Sequence, residues 1–483
     1  MRPAHPGATP DRHGRTRLLV LLGVTLAAKL LLLAWALPAR PGVVENPDTP
    51  TYVRPALALL ATGSFSPDVA RAPEPELNRT PGYPALVAGL YALFGERLAV
   101  LGVASALLST ATIGLLFLLA RKLGGERAAW GAALLLALEP GSFRYGLVAL
   151  TEVPFTFLLL VGTLLLLRAG EPTRRGVLLA LAGGIALACA TLVRPLLYYF
   201  LPALVLLLPV VMPRWRSGRM LAAFLAPVLL LVGGWQLRNQ LRAGTSSLTL
   251  NQSIELYLIR GGYVLSRAEG GSAQEARERL GWAEHLYRFG YVPDEAAAFG
   301  GRRYAELYPE TSRLPLSELA RRYDRRGREI LLGHPKETLR MSFHGALYLF
   351  LTPPFLIWQF HWGELVPDEE LLREYFYPKP LGVLSWLRRH EPVTFALTLL
   401  WVPLLALLAL LAARGVFRAL RWGPELLVVA TFAYLVAVTT GPSCMDDRYR
   451  VPIMPFLALY AIRGAAAPAR EEVAERVVCS AGE

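Results

Sequence analysis

Long, uninterrupted apolar runs restrict this chain to a membrane fold. Of its 483 residues, 54% are hydrophobic, and the mean hydropathy is +0.39. A soluble domain rarely carries so many apolar runs of helix-spanning length. Only helices and closed barrels span lipid, because backbone groups find no water there, and continuous rather than alternating apolar runs favour helices. The sequence therefore predicts an all-α polytopic membrane protein.

The apolar runs predict about ten to twelve membrane spans, several of them short enough to be tilted or partly embedded. The first run, Leu18 to Leu37, is long for a signal peptide and has no small-residue cleavage site, so we predict a retained span. The segment 341–360 contains Pro353 and Pro354 and is predicted to be re-entrant or paired with another span. The remaining predicted spans lie near 97–120, 128–143, 151–167, 176–193, 196–213, 219–237, 393–413, 424–440 and 451–463.

Basic residues set the predicted orientation. The net charge is +13, and many arginines fall in short loops after residues 120, 167, 213 and 413. This positive-inside pattern puts those loops in the cytoplasm and favours topology over nucleic-acid binding. Three cysteines without metal-ligand spacing give no support to a disulfide framework or a zinc site.

We predict four parts in the chain. Short stretches at 50–61 and 81–95 have the pattern of helices lying on the membrane surface. The four predicted parts are an N-terminal transmembrane catalytic module, 1–237, that includes the first outer loop, 38–96; a helical outer domain, 238–340; a C-terminal transmembrane module, 341–463; and a cytoplasmic tail, 464–483.

Two carboxylates lie at the edges of predicted spans. Asp48 follows the first span, and Glu152 opens an apolar run about a hundred residues later, where an acid is costly and usually faces a cavity or partner. Asp48 is the leading general-base candidate, with a helix cap for 50–61 as the alternative. Glu152 is interpreted as positioning Asp48, binding acceptor hydroxyls, sharing a divalent cation (Mg or Mn) with Asp48, or acting as a helix N-terminal charge.

Several arginines at predicted outer edges suit a phosphate group, because a guanidinium binds phosphate oxygens in bidentate fashion. The alternative for each is a lipid-headgroup anchor. Nearby tyrosines fit either the interfacial aromatic belt or a substrate-binding role. The candidates are Arg79, Arg448, Arg238 and Arg194 for phosphate, and Tyr52, Tyr83 and Tyr449 for substrate.

An ordered set of short motifs resembles the GT-C glycosyltransferases, in particular the branch of protein O-mannosyltransferases and the aminoarabinose transferase that modifies lipid A. The resemblance extends from residue 18 to about 463. The motifs are Asp48-x-x-x-Tyr52, Arg79-Thr80-Pro81-Gly82-Tyr83-Pro84, Thr151-Glu152-Val153-Pro154, Arg194-Pro195, Arg238-Asn239 and Arg448-Tyr449-Arg450-Val451-Pro452.

The resemblance implies catalytic acids in two outer loops, which by position are Asp48 and Glu152. It also implies a polyprenyl-phosphate sugar donor, an envelope lipid, glycan or protein as acceptor, and a plasma (inner) membrane enzyme facing the periplasm or cell exterior. Protein mannosyltransferases carry an Asp-Glu pair where this chain has the single Asp48, which argues against assuming a protein acceptor.

Two other functions remain open from the sequence: a transporter or flippase of a lipid-linked glycan, and an envelope glycan ligase or polymerase. A transporter is expected to carry charges in mid-span within two matching halves. Here the acids and arginines cluster at span edges on one side. The segment 238–340 is expected to set acceptor choice.

Overall fold

The protein is described by a computed structural model that covers residues 12–170, 172–289, 291–292, 295–355, 380–420, 423–442 and 446–466. Within these ranges the chain forms helices and no strand, which confirms the predicted all-α class. In chain order, the helices of the first half are α1 (Arg12–Ala36), α2 (Thr49–Thr62), α3 (Gly82–Phe94), α4 (Leu98–Leu138), α5 (Pro140–Tyr145), α6 (Glu152–Arg168), α7 (Arg174–Val193), α8 (Phe200–Val211), α9 (Gly218–Val228) and α10 (Gly234–Ala243).

The second half begins with short helices and ends with long apolar ones. These are α11 (Asn251–Ile254), α12 (Gly262–Glu269), α13 (Ala273–Arg279), α14 (Trp282–Arg288), α15 (Glu295–Phe299), α16 (Tyr304–Leu307), α17 (Leu316–Gly333), α18 (Pro335–Leu351), α19 (Pro380–His390), α20 (Pro392–Ala419), α21 (Pro424–Thr439) and α22 (Met454–Ala465). Short 3₁₀ turns precede α8 and α22, at Pro195–Leu197 and Asp447–Arg450.

In the part of the chain that the structure describes, five helices are long and apolar enough to cross a membrane: α1, α4, α7, the continuous stretch Gly218–Ala243, and α20. Four shorter apolar helices accompany them: α3, α8, α21 and α22. A polytopic membrane fold is thus confirmed. The count of ten to twelve spans stays a prediction.

Several helix limits differ from the predicted spans. The runs 97–120 and 128–143 join in α4, which is broken at Gly125 with a φ of 76°. The run 219–237 continues to Ala243 through a π-helical stretch, Leu229–Gly233, that follows Pro227. Proline removes a helical hydrogen bond, so a widened turn next to it is expected. The helix therefore crosses the domain boundary predicted at 237.

In the C-terminal half, α18 ends at Leu351, shortly before Pro353 and Pro354. Residues 356–360 of the predicted 341–360 segment lie outside the described residues, as does the predicted tail beyond residue 466. The predicted short helices 50–61 and 81–95 correspond closely to α2 and α3.

Two loops that are far apart in sequence meet at one end of the helices. The backbone N–H of Ala149 donates to the carbonyl of Val44 at 2.8 Å, and the Thr49 hydroxyl donates to the carbonyl of Ala149 at 3.0 Å. The loop after α1 is thereby held against the loop before α6. Asp48 and Glu152 consequently lie at the same end of the bundle.

Close packing between α3 and α7 brings a further pair of segments to that end. A Cβ on Gly82 would lie 2.6 Å from the backbone of Leu192 and Val193, so only glycine fits at this crossing. Arg79 precedes Gly82, and Arg194 follows Val193 directly. The crossing thus holds the segment that follows Arg79 against the end of α7, which Arg194 follows.

The helices α11 to α17 surround a second, smaller core. Leu250, Tyr257, Leu319 and Tyr323 are buried there, and Leu77 from the first loop packs with them. The helix α17 buries this apolar face while its arginines, such as Arg325, face outward. A helical unit at 238–340 agrees with this packing, although its limits as a domain stay a prediction.

Candidate functional site

Asp48 is held between two arginines. Its Oδ1 accepts from Nη2 of Arg79 at 3.1 Å, and its Oδ2 accepts from Nη1 of Arg448 at 2.6 Å. Asp48 is the N-cap residue of α2, but its side chain makes no capping hydrogen bond, so the helix-cap alternative is wrong. Burial alone would raise the pKa of Asp48; Arg448 and Arg79 outweigh it and hold the pKa well below its usual value.

The guanidinium group of Arg79 donates nearly all of its N–H groups to neighbouring side chains. Besides Asp48, its Nε donates to the Thr51 hydroxyl at 2.9 Å and its Nη1 to the Tyr52 hydroxyl at 3.0 Å. The guanidinium also lies 4.3 Å from the centre of the Tyr52 ring, which packs edge-on against Tyr83. Arg79 is therefore fixed in place more than it is available to a ligand.

The buried carboxylate of Glu76 fixes the backbone around Arg79 by hydrogen bonds. One carboxylate oxygen of Glu76 accepts from the backbone N–H groups of Asn78 and Arg79, at 2.5 and 2.8 Å. Burial raises the pKa of Glu76. These bonds orient the turn from which the Arg79 side chain reaches Asp48.

Arg448 has fewer fixed partners than Arg79. Its Nη2 donates to the Tyr449 hydroxyl at 3.0 Å, and its Nε lies 3.4 Å from Oδ2 of Asp446. The Tyr449 ring lies between two guanidinium groups, 4.9 Å from Arg448 and 5.5 Å from Arg194. Arg448 and Arg194 thus flank one aromatic ring and form a paired positive site.

Glu152 is the first residue of α6 and forms an ion pair with Arg194 at the end of α7. Nη1 of Arg194 also donates to the Thr151 hydroxyl at 3.1 Å. Glu152 is almost fully buried, so the guanidinium offsets the cost of burying its charge. The helix N-terminus adds further favourable charge.

A continuous chain of contacts joins the two predicted acids. It runs from Asp48 to Arg448, across the Tyr449 ring to Arg194, and on to Glu152. Arg448 and Glu152 also interact electrostatically. The structure therefore brings together eight of the nine predicted site residues, which we call the Asp48 cluster: Asp48, Tyr52, Arg79, Tyr83, Glu152, Arg194, Arg448 and Tyr449.

Arg238 lies elsewhere. Because its helix continues to Ala243, Arg238 is not at a helix end, and its guanidinium donates to the carbonyls of Glu76 (2.8 Å) and Phe65 (3.0 Å). It also lies 4.6 Å from the centre of the Trp235 ring. These contacts indicate that Arg238 anchors the 65–76 segment, which carries the turn before Arg79.

Tyr291 belongs to the site but was missed from the sequence. Its hydroxyl accepts from Nη2 of Arg79 at 3.1 Å, which ties the 251–333 region to the cluster. Its ring lies 5.1 Å from the buried ring of His285, and burial, assisted by Arg79, lowers the pKa of His285 to about 3. No motif marks Tyr291, since it stands in an irregular stretch 212 residues from its partner.

Buried charges next to the cluster were also missed as a group. Arg144 pairs with Asp447 at 3.5 Å, and Arg450 pairs with Glu139 at 3.6 Å, all four nearly inaccessible to solvent. Asp447 thus pairs with Arg144 and not with Arg448, its neighbour in the chain. These pairs hold the 3₁₀ turn that presents Arg448 and Tyr449.

One further buried charge, Lys29, lies within α1. It donates to the Ser109 hydroxyl at 2.7 Å and lies 5.3 Å from the centre of the Phe143 ring. A charge inside a span is a functional candidate by default. Lys29 resembles the mid-span charges expected of a transporter.

Asp48 and Glu152 do not fit a divalent cation. Each carboxylate already faces at least one guanidinium group, which would repel a metal ion. Among the described residues, no group of three or more His, Cys, Asp or Glu side chains has metal-binding geometry.

Comparisons with known proteins agree with the motifs. Residues 78–235 match the family model described as dolichyl-phosphate-mannose-protein mannosyltransferase. Among curated proteins, no sequence matches significantly. Among solved structures, the chain is similar to ArnT from Cupriavidus metallidurans bound to undecaprenyl phosphate, with 17% identity, a TM-score of 0.41, and coverage of 93% of this chain and 77% of that chain.

Two other solved structures are similar. The apo state of the same ArnT has 16% identity, a TM-score of 0.38, and coverage of 93% of this chain and 78% of that chain. An Archaeoglobus fulgidus oligosaccharyltransferase tethered with an acceptor peptide has 14% identity and a TM-score of 0.46. That comparison covers 92% of this chain and 49% of the oligosaccharyltransferase, so this chain spans about half its length.

The matched segment contains four residues of the cluster, Arg79, Tyr83, Glu152 and Arg194, together with Gly82 at the α3–α7 crossing. The family match over residues 78–235 thus agrees with the resemblance that the ordered motifs predict, within that segment of the chain.

Proposed function

We propose that this chain transfers a sugar from a polyprenyl-phosphate donor to a hydroxyl group of an envelope acceptor, at the outer face of the plasma membrane. The observation that carries the proposal is the Asp48 carboxylate shared between Arg79 and Arg448, beside the Arg194–Glu152 pair. The family whose model matches residues 78–235 is named for a dolichyl-phosphate sugar donor. The protein acceptor in that family's name is not part of this proposal, because this chain has the single acid Asp48 where protein mannosyltransferases carry an Asp-Glu pair.

In this proposal Asp48 is the general base, and Arg448 and Arg194 bind the donor phosphate. In the transfer, the acceptor oxygen attacks the anomeric carbon, and the bond from that carbon to the donor phosphate oxygen breaks. The acceptor proton passes to Asp48, and the polyprenyl phosphate leaves with its negative charge facing Arg448 and Arg194. General-base help of this kind is worth about 10² to 10⁴ in rate.

Because Asp48 is paired with arginines, the donor is expected to bind before Asp48 acts as a base. While Arg448 binds Asp48, the low pKa of the carboxyl makes it a weak base. An incoming donor phosphate competes with Asp48 for Arg448, because guanidinium groups bind phosphate oxygens in bidentate fashion. Once Arg448 turns to the phosphate, the pKa of Asp48 rises, and the base becomes stronger only when donor is bound.

Arg79, Tyr52 and Glu152 keep this arrangement in place. Arg79 stays on Asp48 and fixes the direction of its carboxylate, since its other donors are taken by Thr51, Tyr52 and Tyr291. Glu152 holds Arg194 beside the Tyr449 ring. Tyr83 packs behind Tyr52 and is nearly inaccessible, which gives it a packing role rather than a substrate contact.

The test uses Asp48→Asn, with Asp68→Asn as the matched control. Asp68 lies in the loop after α2, and its side chain accepts from the backbone N–H of Arg71. Glycolipids and glycoproteins of cells that carry each variant are compared by mass spectrometry, and polyprenyl-phosphate binding is measured on the purified proteins. We expect Asp48→Asn to bind the lipid but lose the product. Normal product formation by Asp48→Asn would exclude the assignment of the base.

A flippase is the second candidate, and Lys29 is the observation that favours it. Transport in proteoliposomes, measured for wild type and Lys29→Met, separates the two functions. Movement of a lipid-linked glycan without formation of a glycosidic bond, abolished by Lys29→Met, would favour the flippase over the transferase.

A further inference from the structure

The 251–333 region contains a cavity of ≈310 Å³ that shares no residue with the Asp48 cluster. Small-molecule sites in proteins run from about 300 to 1,000 Å³, so this one has room for a ligand of monosaccharide size. The tyrosines Tyr257, Tyr308 and Tyr323 contribute to its lining. Aromatic walls with a few polar groups are typical of ligand sites.

A buried carboxylate lies within the cavity. Glu284 is 4% exposed, and its Oε1 accepts from the Tyr304 hydroxyl at 2.8 Å and from the Thr311 hydroxyl. Its Oε2 has only a long contact, 3.4 Å, from the Tyr323 hydroxyl. A carboxylate oxygen accepts more than one hydrogen bond, so Oε2 has capacity for a hydroxyl of a ligand.

The backbone next to Glu284 keeps this oxygen accessible. Gly281 has a φ of 98°, a conformation that residues with a Cβ rarely adopt. A Cβ at this position would lie 3.4 Å from Oε2 of Glu284. A glycine therefore leaves the space in front of the carboxylate open.

Three arginines line the mouth of the cavity: Arg279, Arg322 and Arg326. Arg322 pairs with Glu310, and Arg279 pairs with Glu269, each at 2.7 Å. Glu310 and Glu269 are largely exposed, and exposed ion pairs are worth about 0–1 kcal/mol. An anionic ligand can replace these carboxylates at little cost.

We propose that this cavity binds an anionic saccharide. The tyrosine rings hold the sugar, Oε2 of Glu284 accepts one of its hydroxyl groups, and the arginines bind its phosphate or carboxylate. The site stands independently of the transfer reaction proposed above. If that reaction holds, an anionic glycan or glycolipid headgroup becomes the preferred class of acceptor.

The test is calorimetric titration of the full-length protein in nanodiscs with four probes: glucose 6-phosphate, glucuronate, glucose and inorganic phosphate. We expect both anionic sugars to bind at least about tenfold more tightly than glucose or inorganic phosphate, since hydrogen bonds to charged groups are the stronger ones. A preference between the two anionic sugars identifies the charged group as phosphate or carboxylate.

Variants assign the binding to this cavity. Arg322→Gln and Arg326→Gln each remove a charge without touching the buried core, and we expect a loss of about tenfold or more in affinity for glucose 6-phosphate. Arg325→Gln is the matched control, because Arg325 is an exposed arginine of α17 outside the lining. The Arg325→Gln variant is expected to bind glucose 6-phosphate with the affinity of the wild type.

Several results would overturn the proposal. Equal affinity for glucose and glucose 6-phosphate would show that the cavity does not select for an anionic group. Equal affinity for inorganic phosphate and glucose 6-phosphate would show that it does not recognise the sugar. Unchanged binding in both Arg322→Gln and Arg326→Gln would exclude this cavity. Loss of binding in Asp48→Asn would assign the probe to the Asp48 cluster, whereas intact binding in that variant separates this proposal from the catalytic one.

Discussion

At the scale of single residues, the charge balance around Asp48 decides what the cluster can do. Two guanidinium groups face one carboxylate, and a third, that of Arg194, is matched by Glu152. The arginines remain charged at any physiological pH. Asp446 also faces Arg448, at 3.4 Å, so the three arginines are balanced by three carboxylates, and the proposed donor phosphate has to displace a carboxylate from Arg448.

The low pKa of Asp48 predicts a pH profile. Because the folded pKa lies below the unfolded value of about 3.9, Asp48 stays ionised in the free protein and stabilises the fold above that pH, an effect lost as the pH falls through the folded pKa. We therefore expect kcat/KM, which reports the free enzyme, to show no acid limb from Asp48 between about pH 5 and 8.

Removing one arginine is expected to change that profile. Arg79→Gln takes away one of the two charges that lower the pKa of Asp48, so the acid limb should move upward toward the measured range, with a rate loss of about 10² or more. Initial rates over pH check this. Arg71→Gln, in the same loop but paired with Glu74, is the control. A variant Arg79→Gln with both the rate and the profile of the wild type would exclude a role of Arg79 on Asp48 in the reaction.

At the scale of elements, the site depends on where helices begin and end. Asp48, Glu152 and Arg448 lie next to helix ends, and these ends were predictable because charge, proline or glycine interrupts each apolar run. Arg238 shows the limit of this reasoning. The apolar run ends near residue 237, but the helix continues to Ala243, because polar residues extend a helix as readily as apolar ones.

The crossing of α3 and α7 gives a prediction at this scale. Gly82→Ala puts a methyl group 2.6 Å from the backbone of Leu192 and Val193, and neither backbone can yield without moving a helix. The turn that carries Arg79 would move relative to the end of α7, and misplacement by about 1 Å can cost about 10² in rate. Turnover of Gly82→Ala should therefore fall by about that factor.

The matched control for this change lies on the same helix. Around Gly89 no atom lies within 4 Å of an added Cβ, so Gly89→Ala should leave turnover unchanged and stabilise α3 slightly through better helix propensity. Equal turnover in the two alanine variants would mean that the crossing does not position the arginines.

At the scale of the whole molecule, contacts between distant parts of the chain assemble the site. Asp48 and Arg448 are separated by 400 residues, and Arg79 and Tyr291 by 212. The span-edge positions of Asp48 and Arg448 predicted that both lie on one face, but not that they form an ion pair. The second could not be predicted, since the 282–292 stretch has no periodicity that fixes which side chain faces the bundle.

The buried pair Arg144–Asp447 joins the two halves of the chain and gives the last prediction. Arg144→Met leaves Asp447 buried without its nearest opposite charge, which typically costs about 3–5 kcal/mol. Arg144→Met with Asp447→Leu removes both charges and should recover most of that stability, because well-packed apolar groups often replace a buried ion pair without loss. Thermal unfolding in detergent measures both effects.

Activity separates stability from positioning in the same variants. Since Asp447 begins the turn that presents Arg448, the double variant is expected to be stable yet slower than the wild type. Breaking the exposed Arg321–Glu318 pair with Arg321→Met should change neither quantity. A stable double variant with full turnover would mean that the buried pair serves folding alone, and that the Asp48 cluster holds Arg448 in position without help from the rest of the C-terminal half.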